Sequence, residues 1–171
     1  KNGTVGIIAA DEDVFEKTQE INKMYIDIGA KDREEAEGLV QIGDTAVFDC
    51  AFCLSGDTVI SKALDDRAGC YILLKAMENI KNANNDLYFV FTSQEEVGIR
   101  GAKTSAFTVM PDFAIAIDVT DTGDTPDAPK SDVRLGGGAA IKAMDRSVMC
   151  DVGVVKTLKK LAQDNAIPYT T

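Results

Sequence analysis

This sequence of 171 residues contains no histidine. That absence removes Ser-His-Asp and Cys-His catalysis, and it removes the commonest side-chain ligand of a catalytic zinc. Positive charge is scarce as well: 18 lysines and arginines stand against 28 aspartates and glutamates, a net charge of −10. Too few cations are present to neutralise phosphates in number, so nucleic acid and anionic membranes are excluded as partners. No apolar run reaches the roughly 18 to 20 residues that a membrane span needs, and no signal peptide is visible. Cysteine is sparse. Cys50, Cys53, Cys70 and Cys150 fit a reduced, cytoplasmic protein better than a disulfide scaffold. Cys50 and Cys53 have the spacing of half a zinc site, yet no second pair and no histidine completes it. Within residues 47–54 they read as part of a strand, where residues three apart face opposite sides.

What is present is an ordinary globular balance, 45% hydrophobic and 27% charged. A chain of this length can bury roughly two thirds of its unfolded surface, so a real core is expected. The chain opens on Lys1 and stops at residues 167–171 (IPYTT), straight after an apparent helix. Both ends are expected to be cuts within a longer polypeptide.

Up to about residue 58 the chain is rich in short β-type pieces. Residues 4–9 and 24–28 look like strands bounded by glycine. Asp32 precedes an acidic first turn and predicts a short helix over 33–38. Residues 47–54 read as a further strand, with a turn at Ser55, Gly56 and Asp57. Beyond Ile60 the rhythm changes. Asp65 and Asp66 precede a helix whose apolar positions Cys70, Leu73, Leu74, Met77 and Ile80 keep helical spacing. A nearly continuous apolar strand at 87–91 is followed by a helix at about 98–107 and a second buried strand at 113–117. A loop rich in Gly, Asp and Pro spans 120–130, a short strand is expected at 139–143, and a last helix places Val154, Val155, Leu158, Leu161 and Ala162 on one face. Unbroken apolar strands alternating with helices predict an α/β fold with a mostly parallel sheet flanked by helices. The composition shift at 55–60 marks a domain boundary, giving 1–58 as part of a small β-rich domain and 59–171 as part of an α/β domain.

In open α/β sheets, ligands bind beyond the carboxyl ends of the strands. Asp65, the pair Glu95-Glu96, and Asp118 fall at such points. Like charges gathered within about 4 Å repel by several kcal/mol at an intermediate dielectric, a conflict that a bound cation resolves. Adjacent glutamates project differently, so one can bind metal while the other deprotonates water, the division that metal-assisted hydrolysis requires. The same pair also suits a plain acidic cap before the next helix. The glycines at 136–138 lack a following Gly-Lys-Ser/Thr and read as a turn, not a phosphate loop.

Three segments, ALDDRAG at 63–69, FTSQEEVGIRGA at 91–102 and IAIDVT at 115–120, resemble the M42 family of metallo-aminopeptidases. The resemblance runs the whole chain, through MYIDIGA at 24–30, the turn at 42–44, LGGG at 135–138 and IKAMD at 141–145. It implies an α/β catalytic domain interrupted by a β-rich dimerisation domain, with two zinc or cobalt ions and peptides as substrate. It also implies a homo-oligomer when intact. By matching position, Asp65 would bridge the two metals, Glu95 would act as general base, and Glu96 and Asp118 would each be a terminal ligand. Two departures stand out: the family's histidine ligands and its downstream pocket segment are both missing here.

A non-catalytic assembly module with a degenerate fold is the alternative from another class. A magnesium or manganese hydrolase using carboxylates alone ranks behind it. Without imidazole the isolated segment is expected to bind metal poorly and leave peptides uncut. Incubating it with cobalt or zinc and aminoacyl-p-nitroanilides checks this; robust turnover would refute the expectation.

Overall fold

The structure, a computed structural model, describes residues 3–10 and 21–171, and its contacts divide the chain into two units, Lys1–Ala51 and Phe52–Thr171. In the first unit, β1 (Ile7–Ala10) pairs antiparallel with β2 (Met24–Asp27), Ile7 opposite Asp27 and Ala10 opposite Met24. Just upstream, a Cβ on Gly6 would stand 2.9 Å from the Asp27 carbonyl oxygen, so the chain enters the pair on a residue without a side chain. Helix α1 (Arg33–Leu39) starts as its sequence dictates. Asp32 is extended and its carboxylate accepts the Glu35 N–H at 2.9 Å, while Glu34 and Glu35 place negative charge at the positive helix end.

The second unit opens with a hairpin of β3 (Cys53–Ser55) and β4 (Thr58–Ile60). Its turn uses the positive φ of Gly56, and the Thr58 hydroxyl donates to the Ser55 carbonyl at 2.6 Å. Three helices follow: α2 (Leu64–Asn79), α3 (Arg100–Val109) and α4 (Val152–Asp164). Asp151 caps α4 by accepting the Val154 N–H at 3.0 Å. Between α3 and α4 the loop is pinned by Gly123 N–H to Val133 O and by Leu135 N–H to Asp124 Oδ2. The glycine run makes a turn, with Gly137 N–H on the Arg134 carbonyl, and Gly138 brings β5 (Ala139–Ala140) onto β6 (Tyr169–Thr170) as a parallel pair.

Two expectations differ from what forms. Among the described residues the ladders make three two-stranded pairs, and β5-β6 is the parallel one. Residues 87–91 and 113–117 run outside these ladders, and of 47–54 only the end at Cys53 and Leu54 enters a strand. The expected core is also small. Val155 and Ala162, both on the predicted inner face of α4, are the buried hydrophobics among the described residues. The exposed surface is 15168 Å², whereas a folded protein of this mass exposes roughly 8,100 Å². Phe113 is 80% exposed and Phe91 47%. An apolar run signals a demand for burial, but the partners that satisfy it come from elsewhere in a sheet, and here those segments have none.

The Asp145 turn is locally self-sufficient. Its carboxylate accepts Ser147 N–H at 2.7 Å, Val148 N–H at 2.9 Å and the Ser147 hydroxyl at 3.0 Å, and Cys150 N–H closes on Ala143 O. These hydrogen bonds, the Ser147 amide first, hold the Asp145 carboxyl below the usual aspartate range. A depressed folded pKa contributes stability above the unfolded pKa, and that contribution disappears as pH falls through the folded value. Asp145→Ala should therefore lower the melting temperature at neutral pH, with the difference from wild type shrinking in acid; circular dichroism melts across pH check this.

Candidate active site

Asp65 lies at a break in the start of α2. Asp65 (φ −85°, ψ 108°) and Asp66 (φ −116°, ψ 54°) both leave helical geometry, and the peptide bond between them is cis. Ala63 before them is left-handed, at φ 56°. Asp65 is exposed and Asp66 half-buried.

The pair Glu95-Glu96 sits in a tight loop between residue 93 and α3. Four backbone hydrogen bonds close it: Gly98 N–H and Ile99 N–H donate to Glu95 O at 3.0 and 2.8 Å, Arg100 N–H to Gln94 O at 3.2 Å, and Gly101 N–H to Ser93 O at 3.0 Å. Gln94 and Ile99, on either side of the glutamates, are left-handed at φ 58° and 57°. That conformation is sterically disfavoured for any residue with a side chain and is a true outlier for a β-branched one. It persists only where surrounding bonds over-determine it, a pattern concentrated at functional sites. Gly101 makes the closure possible. A Cβ there would collide with the Ser93 carbonyl oxygen and lie 2.6 Å from Ser93 N.

Asp118 follows the apolar segment 113–117 and is exposed, its Oδ1 accepting the Val119 N–H at 2.8 Å.

The other three carboxylates act on Glu95. The Glu95 carboxyl is pushed above its ordinary range, by partial desolvation first and then by the negative charges of Glu96, Asp118 and Asp65. Because Glu95 stands on an exposed stretch, the three like charges carry the structural information. Among the described residues, no lysine or arginine acts on it in the opposite direction. Carboxylates that press on one another without a compensating cation are the chemistry that a divalent ion satisfies, and oxygen donors suit such ions. Among the described residues, no three acidic or cysteine side chains are arranged as a ready ligand set. Cys50, Cys70 and Cys150 are half-buried thiols, and Cys53 is exposed in β3. A separate open cleft of about 500 Å³, lined by Asp124, Ser131, Arg134 and Tyr169 among others, contains none of the four carboxylates.

The sequence alone did not reveal that Asp66, Gly69 and Gly101 shape the backbone next to the candidate carboxylates. Gly69 N–H donates to Asp66 Oδ1 at 2.8 Å, and the glycine three residues after an aspartate at a helix start was the available signal.

The backbone is similar to those of solved structures. A TET aminopeptidase from a marine sediment Thaumarchaeota archaeon superposes with a TM-score of 0.86 at 34% identity, over 96% of this chain and 50% of that one. The PhTET1-12s structure, a dodecamer, superposes at 0.77 with 33% identity, over 96% and 50%. In sequence, a protein of Acetivibrio thermocellus bearing an aminopeptidase name is 55% identical over 170 residues, 99% of this chain and 52% of the relative. The profile of the M42 glutamyl aminopeptidase family matches residues 2–171, and the chain belongs to that family. It spans about half the length of the relatives it matches.

Gly101→Ala should force the Ser93 backbone away and displace both glutamates. In the whole protein, a displacement near 1 Å would cost up to about 10²-fold in activity. Hydrolysis rates of the folded variant test this, and an unchanged rate would show that the loop does not position the pair.

Proposed function

We propose that this chain is the acid-rich part of a dinuclear-metal aminopeptidase, with Glu95 as general base and Asp65, Glu96 and Asp118 as metal ligands. The observation that carries this reading is the raised Glu95 carboxyl, on which the charges of Glu96, Asp118 and Asp65 act after desolvation, with no opposing cation among the described residues. Asp65 would be shared between two ions, with Glu96 on one and Asp118 on the other. When bound, two divalent ions, zinc or cobalt, supply Lewis-acid polarisation and make water a stronger acid.

The chain's own residues do the rest. Glu95 takes a proton from the attacking water and passes it to the leaving amine. A carboxyl whose pKa is raised by desolvation and by like-charged neighbours holds that proton more readily than an ordinary glutamate, which suits both halves of the transfer. The closed loop from Ser93 to Gly101 fixes the backbone that carries Glu95 and Glu96.

Activity belongs to the whole protein. Its remaining part would cover the apolar segments 87–91 and 113–117, making them strands of a larger, mostly parallel sheet, and would add the ligands that a chain without histidine cannot. Residues 1–58 would be part of a β-rich dimerisation domain, and 59–171 part of the catalytic domain. The substrate is a peptide with a free N-terminus, and the intact protein is a homo-oligomer, a reading supported by the dodecameric PhTET1-12s relative. The enzyme would work in the cytoplasm, where its cysteines stay thiols; no helix among the described residues is long and apolar enough to cross a membrane. The isolated chain hydrolyses peptides poorly.

The test is release of N-terminal residues by the whole protein with zinc or cobalt, compared with its Glu95→Gln variant. Loss of the general base should lower kcat by about 10² to 10⁴-fold. Equal rates for the two proteins, or equal cleavage of N-terminally blocked peptides, would overturn the proposal.

A further inference from the structure

The two adjacent aspartates of α2 present a problem of assignment, because both are candidates for the same cation. Helical geometry is absent at both, so the continuous part of α2 starts at Arg67. Counting from there, Gly69 is the third helical residue. Its N–H is one of the donors that a helix start leaves without an intrahelical partner. Asp66 Oδ1 accepts that N–H at 2.8 Å, the reach of an N-cap side chain to the third residue.

The surroundings of Gly69 fit this one task. Gly69 is buried in α2, and a Cβ built on it would strike both Asp66 carboxylate oxygens, with Oδ1 at 2.6 Å and Cγ at 2.8 Å. The Asp66 carboxylate thus occupies the space that a side chain at position 69 would need. Asp66 is half-buried, whereas Asp65 is exposed. Arg67 N–H donates to the Ala63 carbonyl at 3.3 Å and closes a turn around the pair. Asp65 is therefore held from both sides of the chain, by the turn from Ala63 and by the capped helix.

We propose that Asp66 is a positioning residue: its carboxylate serves as the N-cap of α2, and the cap fixes where Asp65 presents its own carboxylate to the cation. The proposal rests on the metal-peptidase reading for the identity of that cation. It deepens that reading by dividing the Asp-Asp pair into one carboxylate held by the helix and one left free for chemistry. Charge at position 66 is then unnecessary. Asparagine caps a helix start about as well as aspartate, whereas alanine cannot.

The experiment measures cobalt affinity by titration calorimetry and peptide hydrolysis in the whole protein, with circular dichroism as the folding control. Asp66→Asn should keep the cobalt Kd and kcat within about twofold of wild type. Asp66→Ala should weaken cobalt binding by about 10 to 100-fold, as removal of a group that orients a ligand does, and Gly69→Ala should do the same by displacing the cap. A loss of about tenfold or more in Asp66→Asn would overturn the proposal by showing that position 66 needs its charge. So would wild-type cobalt affinity in folded Asp66→Ala. Should Asp66→Ala not fold, Asp66→Asn decides the matter alone. The two readings separate cleanly: cobalt binding with the expected variant pattern but no peptide cleavage sinks the peptidase reading and leaves the positioning role standing. Cleavage with identical cobalt affinity in every variant does the reverse.

Discussion

Like charges brought together are the constraint on which the rest of this structure turns. Asp65, Glu95, Glu96 and Asp118 come from three separate segments, yet after desolvation three of them raise the pKa of the fourth, and no basic side chain among the described residues offsets them. A protein with 28 acidic residues could place these four apart at no cost in solubility. Repulsion of this kind on Glu95 calls for locally fixed backbone. The structure supplies it with the cap and turn at α2 and the four hydrogen bonds of the loop from Ser93 to Gly101. The left-handed Ala63, Gln94 and Ile99 lie at these same two places, which is where strain kept for function is expected.

Local signals in the sequence translated directly into local structure. Asp32 and Asp151 cap α1 and α4 through bonds made within three residues, and Gly56 turns the β3-β4 hairpin. Such features depend on neighbours in the chain, so composition and spacing reveal them. The apolar segments 87–91 and 113–117 behave differently. Their sequence states a requirement for burial on both faces, but a strand becomes a strand only by pairing with another, and its partners are distant in sequence. The expectation of a mostly parallel sheet and a sizeable core therefore outran what these residues accomplish among themselves.

The candidate site divides along the same line. The candidate carboxylates stand out in the sequence because they follow apolar runs or precede helices, places where an α/β fold puts its ligands. The residues that fix them were not. Gly101 contributes by lacking a side chain where Ser93 passes, and Asp66 by bonding to a backbone N–H. Neither role leaves a charge pattern or a period to read, and both emerge only from distances.

The account is tested most directly by locating the cation. Crystals of the whole protein grown with manganese or cobalt, measured at the metal absorption edge, should show anomalous density bounded by the carboxylates of Asp65, Glu96 and Asp118, with Glu95 beside it and Asp66 turned to the Gly69 amide. Density elsewhere in the protein, with those carboxylates left facing only solvent, would contradict it.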